Sequence, residues 1–145
     1  MDKFNPRALW VLVSFATLAI FTSTPASALP SYTITDLGTL GGTWSSAYSI
    51  NEVGQIAGYS SINESYAHGF FYDGTMHDLG EVPGGSGGEP WDVNSSAQIA
   101  IRYCNHAFLY DGTFHDLGTL GESTSSASGI NDNGHVIGDS KTSDG

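Results

Sequence analysis

Two stretches decide the fold: Ala67-His68-Gly69-Phe70-Phe71-Tyr72-Asp73-Gly74-Thr75-Met76-His77-Asp78-Leu79-Gly80, and Asn105-His106-Ala107-Phe108-Leu109-Tyr110-Asp111-Gly112-Thr113-Phe114-His115-Asp116-Leu117-Gly118. They match position by position at an offset of 38 residues. Each holds two short runs rich in aromatic and β-branched residues around Asp-Gly, the two-residue signal of a type I′ hairpin in which both turn residues take φ > 0. Asp73-Gly74 and Asp111-Gly112 are therefore expected to be such turns.

Working outward, Asp-Leu-Gly recurs a third time at 36-38, and the first and third copies continue in register at an offset of 80. Thr39-Leu40-Gly41 meets Thr119-Leu120-Gly121, Ile50-Asn51 meets Ile130-Asn131, and Gly54 and Gly58 meet Gly134 and Gly138. A second hairpin is expected in each unit, because Asn51-Glu52-Val53-Gly54 and Asn131-Asp132-Asn133-Gly134 pair an Asx-turn residue with a left-handed glycine. The middle unit is looser: Trp91-Asp92-Val93-Asn94 follows a long Gly/Pro stretch, 83-90, and Ala97 replaces the turn glycine. No window past residue 28 shows the i, i+3, i+4, i+7 apolar spacing of an amphipathic helix.

Self-similarity at a fixed period of about 40 residues, with four short strands in each period, predicts an all-β tandem array of propeller-like blades. A β-solenoid is the alternative, though solenoid coils are usually shorter and lack paired hairpin turns. In the propeller reading, Tyr32 to Gly38 is a lone outer strand ahead of the first full unit. About two and a half units are present, and the next His-x-Phe histidine is expected at position 148, past Gly145. Closed propellers typically have about four or more blades. The expectation is a fragment of a longer array, or chains that complete one another through exposed strand edges.

Residues 1-28 read as a secretory signal. Lys3 and Arg7 make a positive start, Ala8 to Phe21 an apolar core of 14 residues, and Ala26-Ser27-Ala28 a small-residue cleavage site. The core is shorter than the ~20 residues that span a bilayer, so no membrane span is expected after cleavage. The array occupies 29-145 and is expected to be exported, to the exterior, the periplasm or the cell surface. It keeps two basic residues, Arg102 and Lys141, against 14 acidic ones. That balance repels phosphate backbones and excludes nucleic acid as a partner. With one cysteine, Cys104, no disulfide forms within the chain; the residue is expected to be a small buried hydrophobe.

The recurring pattern His-Ala-Phe-Leu-Tyr-Asp-Gly, Asp-Leu-Gly-Thr-Leu-Gly and Ile-Asn-x-x-Gly resembles the HAF-repeat family of extracellular bacterial repeat proteins, named for the tripeptide at 106-108. The resemblance covers 32-145. It implies an exported β-strand array, usually with more repeats, and brings no activity, ligand or catalytic residue with it. His68-Gly69-Phe70 and the irregular middle unit depart from the pattern.

The sequence offers no catalytic, cofactor-binding or metal-ligating set, and the chain is not read as an enzyme. His68 and His77, like His106 and His115, stand nine apart at repeat-defined positions, with His135 alone. Imidazole suits zinc or copper, but the short ligand spacing of a zinc site is missing, and histidines satisfying backbone groups are the expectation. Asp36, Asp78 and Asp116 recur before Leu-Gly, where a carboxylate accepts from nearby backbone amides. Asp132-Asn133-Gly134 lacks the remaining ligands of a calcium loop. Gly84 to Gly88 lacks the Lys-Ser/Thr of a phosphate cradle, Trp91-Asp92 is a single dipeptide of the WD type, and no G-x-S-x-G elbow activates a serine. Asn63-Glu64-Ser65 and Asn94-Ser95-Ser96 are formal glycosylation sequons.

Two classes of function follow. One is a binding or scaffolding module that presents loops 59-67 and 81-90 to a protein or glycan, with Trp44, Tyr59, Tyr66 and Trp91 available to stack on sugars. The other is part of a secreted propeller hydrolase or lyase whose catalytic residues lie outside this chain.

Overall fold

In the computed structural model, residues 31-85 and 87-143 are described. The signal-peptide reading of 1-28 lies outside them. Ten strands and no helix are found among the described residues: β1 (Ser45–Ile50), β2 (Ile56–Ser61), β3 (Ala67–Tyr72), β4 (Met76–Asp78), β5 (Glu89–Val93), β6 (Ile99–Tyr103), β7 (His106–Tyr110), β8 (Phe114–Asp116), β9 (Gly121–Ile130) and β10 (Val136–Thr142).

Each sequence unit folds as one antiparallel meander. The first sheet runs β1-β2-β3-β4, the second β5-β6-β7-β8, and the third pairs β9 with β10. These are propeller-like blades, the third of them two-stranded; a solenoid coil would not run back and forth within one sheet. Register repeats as well: Gly58 faces Phe70 and Tyr72 faces Met76 in the first sheet, as Ile101 faces Phe108 and Tyr110 faces Phe114 in the second.

Tyr32 to Gly38 is not a strand. Its counterparts β4 and β8 are held by ladders to β3 and β7, and among the described residues no strand pairs with 32-38. Asp36 keeps the local part of the motif, its Oδ1 accepting from the Gly38 N–H at 2.9 Å. The Asp-Gly turns are not type I′ either. Gly74 and Gly112 take φ of 113° and 107°, while Asp73 and Asp111 stay at negative φ. Each aspartate instead holds a three-residue loop closed with its carboxylate, which takes His77 Nε2 at 2.9 Å or His115 Nε2 at 2.8 Å.

Two apolar layers join the sheets. Between the first and second lie Ala57, Leu79, Val82, Val93, Ile99, Ile101 and Phe108; Ala100, Ala107, Ala127 and Ile130 pack with Leu109 and Val136 between the second and third. Alternation along β6 explains the division, since Ile99 and Ile101 face one way and Ala100 the other. Burial of each such isoleucine stabilises by about 1.5–3 kcal/mol.

A polar ladder crosses the sheets beside these layers. Asn51 closes its own turn by accepting from Val53 N and Gln55 N, and its Nδ2 donates to the Asn94 carbonyl at 2.8 Å. Asn94 repeats this, accepting from Ser96 N and Gln98 N and donating to the Asn131 carbonyl at 3.0 Å. Asn131 in turn accepts from Asn133 N and His135 N. Asp92 adds a second tie, accepting from Ser49 Oγ at 2.6 Å and from Ile130 N at 2.9 Å, so one carboxylate bonds to all three blades.

Candidate functional site

The units share a frame, and departures from it mark where a site can be. β2 and β3 are joined through 62-66, whereas β6 and β7 are joined by Cys104 and Asn105 alone. The longer connection is tied by hydrogen bonds of its own. Asn63 Oδ1 accepts from Ser65 N at 2.8 Å and Tyr66 N at 3.0 Å, and Ile62 N donates to the Tyr66 carbonyl at 3.0 Å. That Asx-turn holds Tyr66 outward with 61 % of its surface exposed.

Facing it is Trp44, 46 % exposed, whose backbone is fixed by two buried serines. Ser61 Oγ accepts from Trp44 N at 3.1 Å, while Ser60 and Ser61 hydroxyls both donate to the Trp44 carbonyl. The Tyr59 ring lies 5.9 Å from the Trp44 ring, tilted by 52°. Trp44, Tyr59 and Tyr66, with Asn63, Glu64 and Ser65, line a cleft of about 340 Å³. Glu64 makes no ion pair or hydrogen bond among the described residues. Partial burial, followed by the Glu89 charge, raises the Tyr59 phenol above its ordinary pKa; its hydroxyl donates to the Gly87 carbonyl at 3.3 Å.

A second cleft, of about 350 Å³, meets the first at Tyr59 and is lined by Gly87, Glu89, Arg102, Tyr103 and Cys104. Here Arg102 bonds to Glu89 at 2.7 Å and sits 5.2 Å from the centre of the Trp91 ring, which stacks with Tyr48 at 5.8 Å. Tyr48 and Trp91 occupy the same repeat position, the irregularity in register between Ala47 and Ser49 and between Pro90 and Asp92. A β-bulge re-aims the inserted side chain, and two successive bulges turn two aromatic rings onto one face.

Of the four aromatics singled out in the sequence, the structure brings Trp44, Tyr59 and Tyr66 together and places Trp91 with Tyr48 and Arg102 instead. Tyr48 and Arg102 are not evident from the motifs, although aligning the units puts Tyr48 opposite Trp91. Loop 81-90 is shorter than expected, because Glu89 and Pro90 begin β5; the proline fits there since β5 is a sheet edge.

The remaining candidates fold into the frame. His68 Nδ1 bonds to the Asp78 carboxylate at 2.9 Å and His106 Nδ1 to Asp116 at 2.8 Å, so the histidine partners are aspartates rather than backbone groups. Asp78 and Asp116 also accept from Gly80 N and Gly118 N, the role expected of them. The paired histidines each engage a different aspartate, and among the described residues no three His, Cys, Asp or Glu side chains converge to hold a metal. Asp132 accepts from Ser95 N at 2.8 Å, a bond that holds its carboxyl below the usual range. Asp92 of the isolated Trp-Asp dipeptide is the tie between blades. Cys104 is exposed rather than buried, because it forms the tip of the β6–β7 hairpin with φ of 49°. No helix among the described residues is long and apolar enough to cross a membrane. Scans against protein-family models, curated proteins and solved structures gave no match to this chain.

Proposed function

We propose that this chain is an exported, non-enzymatic binding module of the HAF-repeat type that takes a neutral glycan in the cleft of Trp44, Tyr59 and Tyr66. The observation that carries the reading is the meeting of three aromatic rings with a carboxylate, Glu64, that has no partner among the described residues. A pyranose ring offers an apolar C–H face to aromatic rings and hydroxyl donors to a carboxylate, so both halves of the cleft find a complement. The charge supports a neutral sugar over a sulfated or phosphorylated one, since the chain carries a formal −11. Repetition of the histidine and aspartate pairs in two units favours a frame over a catalytic centre, which needs groups set apart from one another by environment.

Affinity electrophoresis of the chain through gels holding neutral polysaccharides tests this. Retardation by at least one polysaccharide is expected, lost in Trp44→Ala and weakened in Tyr66→Ala by up to about tenfold, the worth of one good aromatic contact. Equal mobility of the folded wild type with and without every neutral polysaccharide, or retardation that both variants keep, overturns the reading.

A further inference from the structure

We propose that the glycan is held as an internal stretch of a polymer, running from the first cleft over Tyr59 into the second, where Glu89 and Arg102 bind hydroxyls of the next sugar residues. This rests on the glycan reading and deepens it, adding a subsite on the second blade and a preference for a long chain over a short sugar.

Tyr59 is the joint between the two. Its ring meets Trp44 in the first cleft and also lines the second, and its hydroxyl donates to the Gly87 carbonyl in the segment leading into β5. That segment comes close because Gly87 has no side chain: a Cβ there would lie 2.5 Å from the His68 Cα on β3. The glycine-rich stretch thus brings the second blade against the first, so that one aromatic ring serves both clefts.

The second cleft has the chemistry of a sugar subsite. Arg102 donates to Glu89 at 2.7 Å, and its guanidinium lies 5.2 Å from the centre of the Trp91 ring. Trp91, itself stacked with Tyr48, steadies the long arginine side chain. A guanidinium carries five N–H donors and a carboxylate two acceptor oxygens, so the single bond between them leaves most of that capacity for a ligand. Neighbouring hydroxyls on a sugar ring each donate and accept. One can give its proton to Glu89 while the next takes an N–H from Arg102. The two charges offset one another, which suits a neutral chain.

The turn at the rim is short. β6 and β7 are joined by Cys104 and Asn105 alone, where the first blade has 62-66, and Cys104 lines the cleft and is exposed. A polymer can therefore run on past this point, as an internal stretch must.

The same cysteine supplies a reporter that needs no variant. Cello-, xylo-, manno- and malto-oligosaccharides, from di- to hexasaccharide, are titrated onto the full chain by calorimetry, and alkylation of Cys104 by iodoacetamide is timed with and without each. In at least one series the hexasaccharide is expected to bind about ten- to a hundredfold more tightly than the disaccharide. It should also slow the alkylation, which the disaccharide leaves unchanged. Arg102→Ala should bring the hexasaccharide down to the disaccharide's affinity, with circular dichroism showing an unchanged β spectrum; the alkylation rates of the wild type stand whether or not that variant folds. Equal affinity for both lengths, a length gain that Arg102→Ala keeps, or a bound hexasaccharide that leaves Cys104 as reactive as before overturns the second subsite alone. Absence of binding in every series overturns it together with the glycan reading.

Discussion

The first and second blades are the same device with different ends. Both are four-strand meanders with matching registers, a histidine on a strand bound to an aspartate ten residues on, and an asparagine that closes one turn and reaches into the neighbouring blade. They part where the second strand turns into the third. The first blade spends 62-66 on a hydrogen-bonded loop that carries Tyr66 and Glu64, and the second turns tightly through Cys104-Asn105. Repeated residues thus hold the blades together, and the unrepeated ones form the cleft. A repeated frame leaves its loops free to differ, since a surface loop can lengthen at small cost in closure entropy.

The frame should break hardest at Asn94, which is 3 % exposed and bonded in both directions along the ladder. Asn94→Ala strands the Ser96 and Gln98 amides and the Asn131 carbonyl. Leaving such groups unsatisfied costs roughly 1–3 kcal/mol each when buried, reduced wherever water reaches them. A loss of about 2–4 kcal/mol is expected in urea unfolding. The same change at the exposed Asn131 should cost less than half as much. Equal losses at the two sites would mean that the ladder does not join blades and that each asparagine serves only its own turn.

The ladder itself was out of reach of the sequence, which announces each asparagine as a turn residue and nothing more. What the sequence displays well is local or periodic: the 38-residue offset, the Asn-x-x-Gly turns, and the Asp-Leu-Gly carboxylate on a backbone amide. These give the repeat period and the four-strand order of each unit without knowledge of any contact between blades. Expectations fail where an outcome depends on a partner. Tyr32 to Gly38 has strand composition but no pairing partner among the described residues, and Cys104 is apolar in type but sits at a hairpin tip. Asp73 belongs to a hairpin dipeptide, yet its carboxylate engages a histidine on the next strand. The site was half visible for the same reason. Trp44, Tyr59 and Tyr66 could be named from composition, while the pairing of Tyr48 with Trp91 needs two bulges to coincide.

A smaller effect sharpens the comparison at the turn that closes each first hairpin. Gly54 and Gly134 take φ of 83° and 77°, and Ala97 holds the equivalent position at 59°. Its turn is intact, with Ala97 N donating to the Asn94 carbonyl at 3.0 Å as Gly54 N does to Asn51. The left-handed conformation costs a residue with a Cβ roughly 1–2 kcal/mol, and glycine gives back part of that gain through its freer unfolded chain. Ala97→Gly is therefore expected to stabilise by about 0.5–1 kcal/mol in thermal or urea unfolding. A neutral or destabilising result would show that the Ala97 methyl is worth more in packing than the strain it bears.

The least effect, and the most specific, is acid sensitivity at the outer hairpin of the second blade. The Gly118 amide, and after it His106, hold the Asp116 carboxyl below its ordinary pKa of 3.8. A carboxyl whose folded-state pKa is depressed binds its proton more readily in the unfolded chain, so unfolding takes up a proton as the medium turns acid. The contribution is fully present above the unfolded pKa and drains away as pH falls through the folded one. Asp116→Asn removes the titrating group while keeping a side-chain oxygen for Gly118 N. The variant should therefore lose less of its stability than the wild type as pH is taken from neutral to below 3.8, and the two melting curves should converge at the acid end. Parallel pH profiles would mean that Asp116 titrates alike in both states, and that its bonds to His106 and Gly118 are too exposed to bias the fold.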